Sequence, residues 1–210
     1  MFNGSQINKD NLLLLASSSP RRKAILRQIG IPFEAKKSMF DEAVYRDLPP
    51  EEKACQAAIS KSKAVYETQK EQWILGADTI VVIDKTIFGK PKNLNDCRDT
   101  LNQLKGKSHK TITGFCLLDL SGEVAHLEAV ITEVKIKKLS DNEIENYIKT
   151  GEPFGKAGSY AIQGIGSFMI EYIRGSYTNV VGLPAFEVVK AFVKCGAIKD
   201  FPLTEKDSTG

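Results

Sequence analysis

One charged side chain, Asp78, stands in an otherwise apolar stretch covering residues 73–83. A carboxylate in such a run is costly to bury unless it meets a cation or a metal. Buried acids of that kind gather at functional sites. The plainer alternative is a turn aspartate that caps its own backbone. A second candidate is Ser17-Ser18-Ser19-Pro20-Arg21-Arg22-Lys23. Hydroxyls and a proline there have the chemistry of a helix start, where backbone N–H groups favour anions. Three cations in a first turn oppose the helix dipole unless an anion sits with them. A capped helix with a solvated basic face fits the same residues.

Weaker candidates surround these two. Asp41 and Glu42 lie in a stretch without periodicity and gain meaning as metal ligands only if they approach Asp78. Lys63, Lys90 and Lys156 each read singly as surface lysines. Residues 160–166 carry Gln163 between glycines. Glycine lets backbone approach a ligand, and a Gln amide offers a nucleobase edge one donor group and one acceptor. A tight turn is the simpler explanation of these residues taken alone. Familiar phosphate loops fail: Gly106-Lys107-Ser108 has Leu101 where a P-loop needs glycine, and Gly164-Ile165-Gly166 is followed by Met169.

These residues need elements to hold them. Residues 12–16 read as a buried strand. A helix follows over 21–29, with Ala24, Ile25 and Ile29 inward and Gly30 ending it. A short strand follows at 33–35, and residues 37–48 read as a loop. Pro49 and Pro50 open a helix to about residue 69, with Cys55, Ile59 and Tyr66 on its apolar stripe. Residues 73–83 form a strand, 86–88 pair back on it, and 93–104 form a helix. Two β-rich stretches, 111–120 and 124–137, meet at Ser121-Gly122, with Val130, Thr132, Val134 and Ile136 alternating. Ser140-Asp141-Asn142-Glu143 is a capping box for a helix to 148. Residues 151–182 are glycine-rich and irregular. A last helix over 184–195 turns Phe186, Val189 and Val193 inward. The pattern predicts a mixed α/β fold, a central sheet with flanking helices. It places one domain over 12–198, between a polar extension at 1–11 and a polar tail at 199–210.

Composition bounds the function. The 210 residues carry a formal net charge of +3, which suits an anionic ligand without demanding nucleic acid. Two histidines exclude a metal centre built on several imidazoles, so carboxylate and phosphate oxygen would hold any metal, favouring magnesium or manganese over zinc. The four cysteines form no C-x-x-C pair and read as reduced thiols. No apolar run reaches membrane-spanning length, and the polar N-terminus lacks a signal peptide's pattern, so the expected compartment is the cytoplasm.

Taken in order, five segments resemble the Maf family: Leu15-Ala16-Ser17-Ser18-Ser19-Pro20-Arg21-Arg22, Gly76-Ala77-Asp78-Thr79, Gly89-Lys90-Pro91, Lys156-Ala157-Gly158-Ser159-Tyr160 through Gln163-Gly164, and Asn179-Val180-Val181-Gly182-Leu183-Pro184. The resemblance spans about residues 12–192. It implies an α/β protein with two lobes around a cleft. The implied enzyme is a nucleoside triphosphate pyrophosphatase that uses a divalent cation (magnesium, manganese or cobalt). It implies that Asp78 accepts the proton of the attacking water and shares a metal with Glu42. Ser17, Ser19, Arg22, Lys63 and Lys90 would grip phosphates. Arg21, Thr79 and Gln163 would set base choice, in a combination similar to the branch acting on dTTP and UTP. The chain departs from the family pattern at Ala57-Ala58-Ile59, ahead of Lys63. The expected partner is the nucleotide, with neither nucleic acid nor membrane, and a homodimer is compatible with the family. Two rival functions remain. A nucleotide sensor or division-control scaffold would bind without turnover. An RNA-binding module would need aromatics interleaved with the basic residues, and none adjoins Arg21 or Arg22.

Overall fold

The computed structural model describes residues 6–38 and 48–203. Seven strands form one mixed sheet in the order β2-β1-β3-β5-β6-β7, with β4 added against β3. The chain divides into two compact units, and it passes between them inside β3, β5 and β6 and again between Val181 and Gly182.

The first unit holds residues up to Asp78, Thr113–Val130 and Gly182 onward. Its centre is β1 (Leu13–Leu15), three leucines without exposed surface. A strand covered on both faces needs such a continuous apolar run. Parallel β2 (Phe33–Ala35) flanks it on one side and β3 (Ile74–Ile83) on the other. Parallel neighbours require crossovers, and two helices supply them: α1 (Pro20–Gln28) before β2 and α2 (Pro50–Tyr66) before β3. Helix α2 starts at Pro50 with Glu51 and Glu52 in its first turn and ends near Lys63, all favourable to its dipole. Its buried stripe is Ala54, Ala57, Ala58, Ser62 and Val65. The expected stripe members Cys55, Ile59 and Tyr66 lie half-buried at its margin. The unit's core joins Leu14, Ala16, Ala58, Val65, Ile74, Cys116 and Leu118.

Two inward faces differ from expectation. On α1 the buried residues are Arg22, Ile25 and Leu26, while Ala24 is exposed. On α6 (Ala185–Lys194) they are Val188, Ala191 and Phe192, while Phe186 and Val193 are exposed. The stripe runs at helical spacing through all three buried positions, so the largest apolar residues are not the best guide to it.

The second unit holds Thr79–Ile112 and Ile131–Val181. Here β3 turns back at Asp84 and pairs antiparallel with β4 (Thr86–Phe88). Helix α3 (Leu94–Leu104) is capped by the Asn93 side chain, and α4 (Asp141–Lys149) by the reciprocal Ser140–Glu143 capping box. Both caps satisfy N–H groups that a helix start otherwise leaves unpaired. The outer strand β7 (Ile170–Arg174) runs antiparallel to β6 (Val124–Ile136), with a bulge at Lys135/Ile136. Strand β5 (Ser108–Leu118) lies between β3 and β6. The stretch read as irregular also contains two 3-10 turns, Ala157–Ser159 and Ile165–Met169, and the short α5 (Tyr177–Val181). The unit's own core includes Val81, Phe88, Leu101, Leu104, Val134, Ile136, Ile144, Tyr147 and Met169.

Candidate active site

The turn after β1 is built by hydroxyls and one buried guanidinium. Ser19 caps α1, its oxygen accepting from the Arg22 N–H at 3.5 Å. Ser17 Oγ accepts from the Ser19 N–H at 3.2 Å and from Arg22 Nη1 at 3.2 Å. A hydroxyl has two acceptor lone pairs and one donor, so Ser17 keeps its O–H for a third group. The Arg22 side chain is 9% exposed and donates through Nε to the Gly182 carbonyl at 2.8 Å. That bond aims the guanidinium, and the first turn of α1 carries Arg21, Arg22 and Lys23 and no acid. Arg21 is half-buried, and burial lowers its pKa from the ordinary value. The turn is a concentration of positive charge and N–H donors, suited to phosphate.

Asp78 lies within β3, just past the stretch of that strand paired with β1. Leu15 pairs with Leu75 in the parallel ladder, and the Ala16 N–H donates to the Leu75 carbonyl at 2.9 Å. The residues after Leu15 and those after Leu75 therefore run on in the same direction. Ser17 and Asp78 both lie at the carboxyl side of that pairing, where open α/β sheets bind ligands. Lys61 Nζ meets Asp78 Oδ1 at 2.5 Å, with side chains 12% and 13% exposed. The packing that allows this is tight. A Cβ on Gly76 would lie 2.2 Å from Ser62 Oγ and 2.5 Å from the Ala58 carbonyl oxygen. Glycine there lets α2 lie directly on β3 and brings Lys61 to the acid.

Lys63, the lysine of this helix expected to grip phosphates, meets other groups. Its ammonium donates to the Gly122 carbonyl at 2.6 Å and faces Glu123 at 4.0 Å. Two positions along a helix turn a side chain through about 200°, so Lys61 and Lys63 cannot share a target. Lys61 is the residue that sequence reasoning missed. The signal was available in the small residues Ala54, Ala57, Ala58 and Ser62, which mark the face that packs closely.

In the second unit, Thr79 is half-buried on β3, next in the chain to Asp78. Lys90 is exposed in the turn after β4, whose Gly89 carbonyl accepts from the Gly158 N–H at 3.2 Å. The Lys156 ammonium donates to the Glu152 carbonyl. Gln163 is exposed just before the 3-10 turn Ile165–Met169. Asp41 and Glu42, expected near the metal, lie outside the described residues. Among the described residues, no group of three or more His, Cys, Asp or Glu side chains is placed to hold a metal ion.

Residues 12–195 match the family described as Maf-like protein. The chain is 46% identical over 203 residues to the dTTP/UTP pyrophosphatase of Syntrophotalea carbinolica, covering 95% of this chain and 91% of the relative. Identity is 48% over 173 residues to the protein of that name from Ruminiclostridium cellulolyticum, covering 82% and 90%. With the Clostridioides difficile protein of that name it is 44% over 172 residues, covering 82% and 89%. On this match, which takes in nearly the whole chain, the protein belongs to the Maf-like family.

Proposed function

We propose that the chain hydrolyses dTTP and UTP to the nucleoside monophosphate and pyrophosphate. The relatives' shared name supports this activity at 44–48% identity over most of the chain. The observation that carries the site assignment is the Lys61–Asp78 pair. It joins an acid and a cation beyond the β1/β3 pairing, in the unit that also holds the basic turn of Ser17, Ser19 and Arg22.

In this reading, water attacks the α-phosphorus and pyrophosphate leaves. Asp78 accepts the proton of the attacking water. Lys61 fixes the orientation of that carboxylate and brings positive charge to the reacting phosphate. Ser17 donates its hydroxyl, and Arg22, held by the Gly182 carbonyl, offsets charge growing on the phosphate oxygens. Ser19 keeps the first turn of α1 formed beneath them. Lys90 is a further phosphate contact, and Arg21, Thr79 and Gln163 choose the base.

A divalent cation fits the donor chemistry. Magnesium and manganese take one or two carboxylates and fill their remaining positions with substrate phosphate oxygens and water. Asp78 supplies one such carboxylate, and Glu42 is the second by resemblance. Magnesium, manganese or cobalt would each serve. When bound, the cation lowers the pKa of its water and draws charge from the phosphates.

Asp78→Asn keeps the size of the side chain and removes its basicity. Pyrophosphate release from UTP should fall by about 100-fold or more, while UTP still binds with a Kd changed by less than about threefold. Undiminished release by this variant refutes the role of Asp78. Tight binding of UTP by the unaltered protein without any pyrophosphate release would support the sensor reading instead.

A further inference from the structure

Gln163 sits in a segment whose two ends meet one pair of side chains, the first buried and the second half-buried. The pair is Tyr147 on α4 and Glu152 just after it. Glu152 Oε1 accepts from the Ile165 N–H at 3.0 Å, and Oε2 accepts from the Gly166 N–H at 2.7 Å. The Tyr147 hydroxyl donates to Glu152 Oε2 at 2.8 Å and accepts from the Ala161 N–H at 3.1 Å. One hydroxyl and one carboxylate thus hold backbone on both sides of Gln163. Tyr147 is 2% exposed and belongs to the core of its unit, so its hydroxyl is a fixed point for Glu152.

The segment's glycines fit this anchor with no room to spare. A Cβ on Gly164 would lie 2.2 Å from Glu152 Oε1. One on Gly166 would lie 2.4 Å from the Ala161 carbonyl oxygen and 2.6 Å from the Tyr147 hydroxyl. Any side chain at either position would displace the anchor or the segment. Burial pushes the Glu152 carboxyl up, but the Gly166 N–H, the Tyr147 hydroxyl and the Ile165 N–H outweigh it. They hold its pKa below the usual carboxylate value.

We infer that Tyr147 and Glu152 are positioning residues for nucleotide selection: by tying Ala161, Ile165 and Gly166 they hold Gln163 in one place to read the base. This rests on the proposal that Gln163 reads the base in a dTTP/UTP pyrophosphatase. A Gln amide can pair with the N3–H and O4 of uracil or, rotated by half a turn, with the N3 and amino group of cytosine. Discrimination between them therefore needs a framework that limits how the amide is offered. Preorganised backbone also avoids an ordering cost on binding, so its loss weakens affinity more than chemistry.

The test compares unaltered protein with Glu152→Gln and Tyr147→Phe, measuring kcat and KM for UTP and CTP together with Tm. Glu152→Gln places an amide NH2 against the Ile165 N–H or the Gly166 N–H, two donors facing each other, and breaks the clamp without changing its size. It should raise KM for UTP about tenfold, change kcat by less than about threefold, and lower the UTP-to-CTP ratio of kcat/KM by about fivefold. Tyr147→Phe, which frees only Ala161 and the hydroxyl contact, should move the same quantities in the same direction by less. An unchanged ratio and KM in Glu152→Gln overturn the inference. So does an equal fall in kcat for both nucleotides accompanied by a lower Tm, the pattern of a merely structural residue. Unaltered protein that releases no pyrophosphate from UTP overturns the activity itself and the positioning role with it.

Discussion

Lys61 and Lys63 share a helix and a charge, yet their surroundings separate them completely. Lys61 contacts Asp78 at 2.5 Å, while Lys63 contacts the Gly122 carbonyl at 2.6 Å. An ammonium at a reacting phosphate is worth far more than one on a loop carbonyl, because donors aimed at developing charge typically contribute about 10²–10³ in kcat. Lys61→Met should therefore lower kcat for pyrophosphate release from UTP by about 100-fold, and Lys63→Met by less than about twofold. Steady-state kinetics on both variants, with Tm as a check on folding, decides it. Equal losses would remove Lys61 from the site. Asp78 was legible in the sequence because a single charge in residues 73–83 has few physical explanations. Ser17, Ser19 and Arg22 were legible because helix-start chemistry is local. Lys61 was not legible, since its value depends on which face of α2 meets the sheet, and that face carries alanines and a serine rather than large apolar residues.

At the scale of elements, α2 shows what sets that face. Two strands offer it glycine: Gly76 on β3, against Ser62 and Ala58, and Gly114 on β5, where a Cβ would lie 2.4 Å from the Ala54 carbonyl carbon. Small residues on both partners bring backbone close to backbone, and this packing carries Lys61 to Asp78. Gly76→Ala should destabilise the protein by about 1–3 kcal/mol, as overpacking does. The change should appear as a lower urea midpoint at an unchanged m value. A Cβ on Gly89 would meet nothing within 4 Å, so Gly89→Ala is the control and should stay within about 0.5 kcal/mol. A neutral Gly76→Ala would show that α2 does not depend on this contact. The elements themselves were largely readable: the β3–β4 hairpin, the Asn93 and Ser140 caps and the alternation on β6 all follow from local rules. Inward faces were less readable. Phe186 is 74% exposed on α6, although its size and spacing argued for the core.

For the molecule as a whole, His109 has no place in the proposed chemistry, yet its burial makes overall stability depend on pH. It lies in the second unit, 3% exposed, with Nε2 at 2.7 Å from the Tyr160 hydroxyl. Nδ1 has no hydrogen-bond partner among the described residues. Burial lowers the His109 pKa from 6.5 to about 4. The unfolded chain therefore binds a proton on this side chain at a higher pH than the folded protein does. Stability from the neutral imidazole is fully present above pH 6.5 and is lost as pH falls from there toward 4. Glu143 acts in a lower window: its hydrogen bond from Lys137, with those from Ser140, holds its pKa at about 2, so its contribution fades only as pH falls below 4.5. Between about pH 7 and pH 5 the histidine dominates, and unfolding free energy should drop by about 2 kcal/mol. Urea titrations at the two pH values measure it. His109→Gln, which cannot take up a proton, should flatten the difference even if it lowers stability at both. A drop of the same size in that variant would assign the pH dependence to other groups.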